Sequence, residues 1–388
     1  MIKQIINVAT NTKYYIFNSK HYVQNLLTKG KDIPVDTEIN TDQIELPPWY
    51  DEKLFRKGQK YYTHNIFAIF IGMLLGLIAV LSIPTILKIL ISTKKSSNNK
   101  TAYQRYMRTI YHTVYWHWYI FGNGSDKDDI IKIRNTKIFK SLIFVRKTHL
   151  ISSKYCSTIG NGFISQKDMA LTQFGFMGFI TLKGKYLGLK HNDETLAGTI
   201  HFWRVIGYLL GIKDEFNICT NEWDTTKIRL ENIIDEIYKP SLTNINDDFM
   251  NMVKPLIEGL WSFNPFLSVD AFLFMTKRLV NCNGYEYFNS DFNNRKMLPL
   301  AVDGENNSNN NNNNEENIIK KELYKEMTIW NRFVLWFTLV TLQFIYPLKL
   351  FKWYFDFQIY LSLFLITYIP FLAYHRFGFK DSYVRIKL

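Results

Sequence analysis

Between residues 66 and 210 apolar side chains recur at three- and four-residue intervals, with polar residues grouped at the boundaries. That is the period of α-helices packed around a core. Strong helical patterns cover 66–87, 101–120, 165–182 and 193–210, and no run alternates apolar and polar as a strand does, so the expected class is all-α. The best bounded helix comes after Asn192 and Asp193. Either can cap it, Glu194 favours its positive end, and Gly211 can end it left-handed. Its apolar positions, Leu196, Ile200, Phe202, Val205, Ile206, Leu209 and Leu210, cover most of the circumference and predict burial nearly all round. His201, Arg204 and Tyr208 then share one stripe, and buried polar groups so placed must find partners or face a cavity.

The other segments punctuate themselves. Ser165 and Asp168 form a capping box for a helix in which Gly175 and Gly178 would let a neighbouring helix or a flat ring approach closely. Asp129–Ser152 reads as one helix, and 225–260 as a polar helical region. Pro265 breaks the next run, and Ser268 caps the helix after the break. Arg105, Arg108, Thr109, His112 and His117 lie among aromatics on the 101–121 helix. The five-residue separation of its histidines does not suit a helical zinc pair, so core or interface positions are expected for them.

The chain divides into four regions: a polar arm at 1–45, a helical domain at 46–293, an Asn-rich insertion at 294–322 expected to be disordered, and a hydrophobic helical hairpin at 323–388. Ile66–Leu87 is twenty-two uncharged residues, long enough to span a membrane and equally suited to a buried core helix. Phe333–Leu348 and Phe357–Tyr374 each carry a proline and are marginal as spans. With the aromatic and Lys residues between them they suit a re-entrant or membrane-lying hairpin. A membrane location is therefore expected.

Charge and cysteine content change this little. The net charge is +13, but no basic run alternates with stacking aromatics on a nucleic-acid motif, so nucleic acid is not an expected partner. The cysteines at 156, 219 and 282 are odd in number and far apart, which suits reduced thiols. The start lacks a continuous apolar core and a cleavage site, so a secretory signal is not expected. No nucleophile elbow, Walker loop, dinucleotide fingerprint or HExxH occurs.

The segments LPPWYDEKLFRKGQKYYTHN, VRKTH, ISQKDMALTQFGFMGFITL and HFWRVIGYLLGIKDEFNIC, in that order, resemble the rubber oxygenases (latex clearing proteins) and the ER-bound mpaB-type oxygenases, over roughly Leu46 to Asn293. The resemblance implies a helical domain with a globin-like pocket, haem b with its iron, and dioxygen-dependent cleavage of an isoprenoid carbon–carbon double bond. It also suggests an endoplasmic reticulum membrane. The family places one histidine on the iron and a short Arg, Lys and Thr group on the opposite side. Here Lys147 and Thr148, with Arg146 beside them, match that polar group. His201 is the expected ligand and His149 the competing one. Arg204 is a candidate for a haem propionate or for pairing with Asp214 or Glu215, and Gln173 is a pocket residue on the helix expected to face His201. A membrane-bound helical scaffold or lipid-binding protein that keeps the fold without haem is the alternative.

Overall fold

The computed structural model describes residues 21–121, 127–285, 324 and 326–386. The Asn-rich insertion at 294–322 and the first twenty residues of the arm lie outside the described residues. Those described are helical and contain no β-strand, so the chain is all-α. The N-terminal half runs through α1 (Glu52–Thr63), α2 (Ile66–Leu81), α3 (Pro84–Ser92), α4 (Asn99–Trp118), α5 (Lys127–Asn135) and α6 (Lys137–Thr158). Then come α7 (Gln166–Leu182), α8 (Asp193–Leu209), α9 (Trp223–Ile233), α10 (Asp247–Gly259) and α11 (Val269–Leu279). The C-terminal hairpin is α12 (Ile329–Val340), α13 (Lys349–Tyr368) and α14 (Phe371–Phe377).

Local chemistry sets the boundaries. Ser165 and Asp168 form the expected reciprocal capping box, and the Asn192 side chain accepts from Thr195 N in a second one. Gly211 lies just past α8 with φ +96°, as a helix-ending glycine should. Asp129–Ser152 is not one helix: Thr136 accepts from Phe139 N and starts α6 afresh after α5. Ile66–Leu87 is likewise broken. Pro84 lacks an amide hydrogen and holds Ile83 extended, so α2 ends at Leu81 and α3 begins at the proline.

α2 is the central core helix. Fourteen of its sixteen residues are buried, and it lies against α7, α11 and α13. At ~24 Å it is also shorter than a ~30 Å hydrocarbon layer. Among the described residues no single helix is long and apolar enough to cross a membrane. α1 with α2, and α13 with α14, reach that length only as pairs bent by 93° and 56°. The cysteines at 156, 219 and 282 are buried and free.

Two glycine contacts bring the central helices together. Gly175 of α7 meets Gly76 of α2, and Gly58 of α1 meets Gly198 of α8. Gly175 therefore admits a helix, one of the occupants its spacing with Gly178 allows, while Gly178 is covered by the Phe174 ring of its own helix. A methyl group on Gly76 would collide with the Gly175 carbonyl oxygen, with backbone on both sides and no flexible side chain to yield. Gly76→Ala should lower the stability of the folded chain by about 3 kcal/mol. An unchanged urea midpoint would show that the two helices can part without cost.

Candidate functional site

The stripe on α8 finds its partner 150 residues away in sequence. Trp49, in the extended lead-in to α1, sets its ring edge-on to His201 and to Tyr208 at centroid distances of 5.9 and 5.8 Å. The Arg204 guanidinium lies 3.9 Å from the Trp49 ring centre, and Asp214 accepts from both Trp49 Nε1 (3.1 Å) and Arg204 (3.4 Å). His201 Nε2 accepts from the Asp51 backbone N–H at 3.0 Å, and the Asp51 carboxylate caps α1. The imidazole is thus neutral with its proton on Nδ1, in keeping with a pKa that burial pushes below the usual histidine value. These residues clamp the Trp49 segment onto α8. In this arrangement the His201 lone pair is taken by the Asp51 N–H and Arg204 is paired with Asp214.

The same clamp gives a stability prediction. Trp49→Ala should cost about 3 kcal/mol, because it removes a large ring and leaves the Arg204 charge and the Asp214 carboxylate without their shared neighbour. A thermal melt unmoved from the parent would sink that account.

The other expected site residues also have structural partners. Arg146 forms a two-pronged ion pair with Asp36 at 2.8 and 2.6 Å and donates to the Leu209 carbonyl, which ties the N-terminal arm to α8. Lys147 is exposed, and the Thr148 hydroxyl donates to its own helix at Phe144 O. Arg146, Lys147 and Thr148 therefore do not converge. Gln173 is fully engaged: its amide nitrogen donates to Trp203 O and Asn217 Oδ1, and its oxygen accepts from Ile218 N.

Of the expected residues, His149 on α6 stands apart. His112 shares Ser141 Oγ with the Trp116 indole, at 2.8 and 3.0 Å. His117 Nδ1 donates to the Thr113 carbonyl while its ring stacks on Tyr62 at 3.6 Å. His191 meets the Tyr61 hydroxyl at 2.9 Å. His149 Nδ1 is buried with no hydrogen-bond partner, alone in that respect among the described histidines. Burial, and then the nearby Arg105 charge, push its pKa down to about 4, so it is a neutral imidazole at pH 7.

Arg105 belongs to α4, which runs antiparallel to α6: Lys137 meets Tyr119, Ser141 meets His112, and His149 feels Arg105. The Arg105 guanidinium donates to Ser96 Oγ at 3.1 Å, and no carboxylate pairs with it among the described residues. One turn further along α4, Thr109 enters the wall of a cavity of about 590 Å³, counted out to its mouth. Tyr106, Ile110 and Thr113 share that wall. Phe70, Leu74 and Leu77 of α2 and Thr172 and Phe176 of α7 complete an almost wholly apolar lining. The Tyr106 hydroxyl is a second buried polar atom without a partner. Arg105 and Thr109 were legible in the sequence as an i, i+4 pair, but their aromatic surroundings gave them the look of core positions.

No protein-family model matches the chain. Over 99 residues it is 27 % identical to a rubber oxygenase of Streptomyces sp. (strain K30), an alignment covering 25 % of this chain and 24 % of that protein. The chain resembles the rubber oxygenases. The match spans about a quarter of that relative's length. A solved structure of latex clearing protein LCP in the closed state superposes over 90 % of this chain and 87 % of its own, at 14 % identity and a TM-score of 0.48.

Proposed function

We propose that the chain is a membrane-associated, haem-dependent oxygenase that cleaves a carbon–carbon double bond of a long apolar, isoprenoid-type substrate, with His149 as the residue that would hold the haem iron. The observation that carries the reading is the buried, unpartnered Nδ1 of His149, which lies near Arg105 of α4, the helix whose Tyr106 and Thr109 line an apolar cavity, in a chain similar to a rubber oxygenase. A buried donor atom left without a hydrogen bond is costly unless a ligand completes it.

The residues present suit a haem in their chemistry. A porphyrin already supplies four nitrogen donors, so one protein imidazole is enough. The lack of a larger His, Cys, Asp and Glu cluster among the described residues does not count against it. Arg105 is a half-buried cation that no carboxylate pairs with among the described residues, which suits a carboxylate such as a propionate. A bound haem would supply dioxygen activation. The chain's own part is then threefold. His149 would hold the iron, and with its pKa depressed by burial it is not protonated at neutral pH. Arg105 offers a fixed positive charge, and Thr109 offers a hydroxyl from the cavity wall. The apolar walls exclude water and suit hydrocarbon.

The test is a pyridine haemochrome assay on protein purified from cells supplied with haemin, followed by oxygen-dependent product analysis with an isoprenoid hydrocarbon. A Soret band together with carbonyl-ended products is the expected outcome. Colourless protein that instead retains lipid would assign the cavity to lipid binding.

A further inference from the structure

Among the described residues no single helix is long and apolar enough to cross a bilayer, and α13 presents a surface suited to meeting one without crossing. One side of α13 is anchored. The Asp356 carboxylate accepts from the Phe67 backbone N–H (3.0 Å), the Tyr346 hydroxyl (2.9 Å) and Lys352 Nζ (2.7 Å), and the Tyr360 hydroxyl donates to Thr63 O. Ile359, Leu363 and Ile366 are buried on that side.

The other side has the spacing of a second apolar stripe. Leu350, Trp353, Phe357, Leu361, Phe364 and Tyr368 succeed one another at three- and four-residue steps, where a helix facing water would carry charge. Leu350, Trp353 and Tyr368 are 73 %, 66 % and 64 % exposed. Neighbouring helices have the same character: Ile329 of α12 is 86 % exposed, Trp330 and Phe333 lie side by side at 5.6 Å, and Phe371 and Tyr374 of α14 are also exposed. Exposed apolar surface this abundant marks an interaction surface.

Charge identifies its occupant. From Ile329 to the last residue there are seven Lys and Arg against two Asp. Both aspartates are engaged, Asp356 with Lys352 and Asp381 with Lys100 at 3.1 Å. The exposed charges left at the ends of these helices, Lys349, Lys380 and Arg385, are basic. A second copy laid on this face would bring like charges together, whereas an anionic lipid surface complements them and receives Trp and Tyr at its headgroup level.

We propose that the α12–α14 face lies in the interfacial plane of an anionic bilayer, inserting its aromatic stripe without crossing. This inference rests on the membrane association proposed above and is independent of the haem.

The test is co-sedimentation of the detergent-purified full chain, after dilution, with phosphatidylcholine vesicles and with vesicles that also contain phosphatidylserine. Partitioning should be at least about tenfold stronger with phosphatidylserine and should weaken with salt. The part of the fluorescence lost in Trp353→Phe should be quenched by lipids brominated near the headgroup and not by those brominated at the chain ends. Phe357→Glu combined with Phe364→Glu should lower partitioning by about tenfold or more, at exposed positions where helical circular dichroism is retained. Lys349→Glu with Lys380→Glu should remove the phosphatidylserine preference alone. Failure to sediment with either vesicle would overturn the proposal. So would a dimer in light scattering that Phe364→Glu splits, or quenching confined to the chain ends. None of these readouts depends on iron, so a colourless protein that binds vesicles would reject the haem reading and leave this one standing.

Discussion

His149→Ala is expected to purify without a Soret band, from cells in which the parent chain is coloured. The His149 Nδ1 is the only fully buried histidine ring nitrogen without a protein hydrogen bond among the described residues, so removal of the ring would take away the proposed iron ligand and disturb no hydrogen bond to Nδ1. Outer-shell substitutions at metal sites cost roughly 10–100-fold in affinity, and loss of the ligand itself should exceed that. Added imidazole should restore part of the band by occupying the vacated space. His201→Ala should behave in the opposite way. Its ring accepts from the Asp51 N–H and is framed by Trp49, so the loss should appear as a lower melting temperature with the haem spectrum retained. Arg105→Ala should keep the colour and shift the spectrum, since the charge nearest His149 is removed while the ligand stays. If His201→Ala loses the haem and His149→Ala keeps it, the assignment is wrong and the Trp49 clamp is more than structural.

The range of each interaction decides whether it was legible in the sequence. The capping boxes at Ser165 and Asn192 and the end of α8 at Gly211 depend on residues within one turn, and they stand where the sequence puts them. The break at Pro84 was also local, yet the uncharged run around it resembled a single span, because hydropathy does not distinguish a lipid surround from α7, α11 and α13. The site was harder. His201, Arg204 and Tyr208 were correctly read as a stripe in need of partners, but Trp49, Asp51 and Asp214 supply them through folding, and no spacing on α8 reveals a residue 150 positions earlier. The same holds for Arg146, whose partner Asp36 lies in the arm, 110 residues away. His149 shows the converse: its significance lies in a bond that is missing, and only the arrangement of α4 and α6 makes that visible.

The burial that leaves His149 neutral also predicts a steep acid limit. His112, His149 and His191 are pushed down to about 4 and His117 to about 3, in each case chiefly because burial removes the water that would solvate the cation. In the unfolded chain each returns to about 6.5, so below that pH the unfolded state takes up protons that the native state refuses. Stability from these groups is therefore complete above about pH 6.5 and falls as the pH drops toward 4, by on the order of 10 kcal/mol across the four. Ordinary carboxylates titrate near 4, so a series of melts from pH 7.5 to about 4.8 isolates the histidines. His117→Phe keeps a ring against Tyr62 and Phe202 and removes one site of proton uptake. Its melting temperature should depend on pH less steeply than the parent's, because one of the buried imidazoles that resist protonation is gone. A parent profile flat over that interval would mean that the buried imidazoles reach water or find anionic partners before the chain unfolds. His149 would then be free to protonate in place, before the chain unfolds.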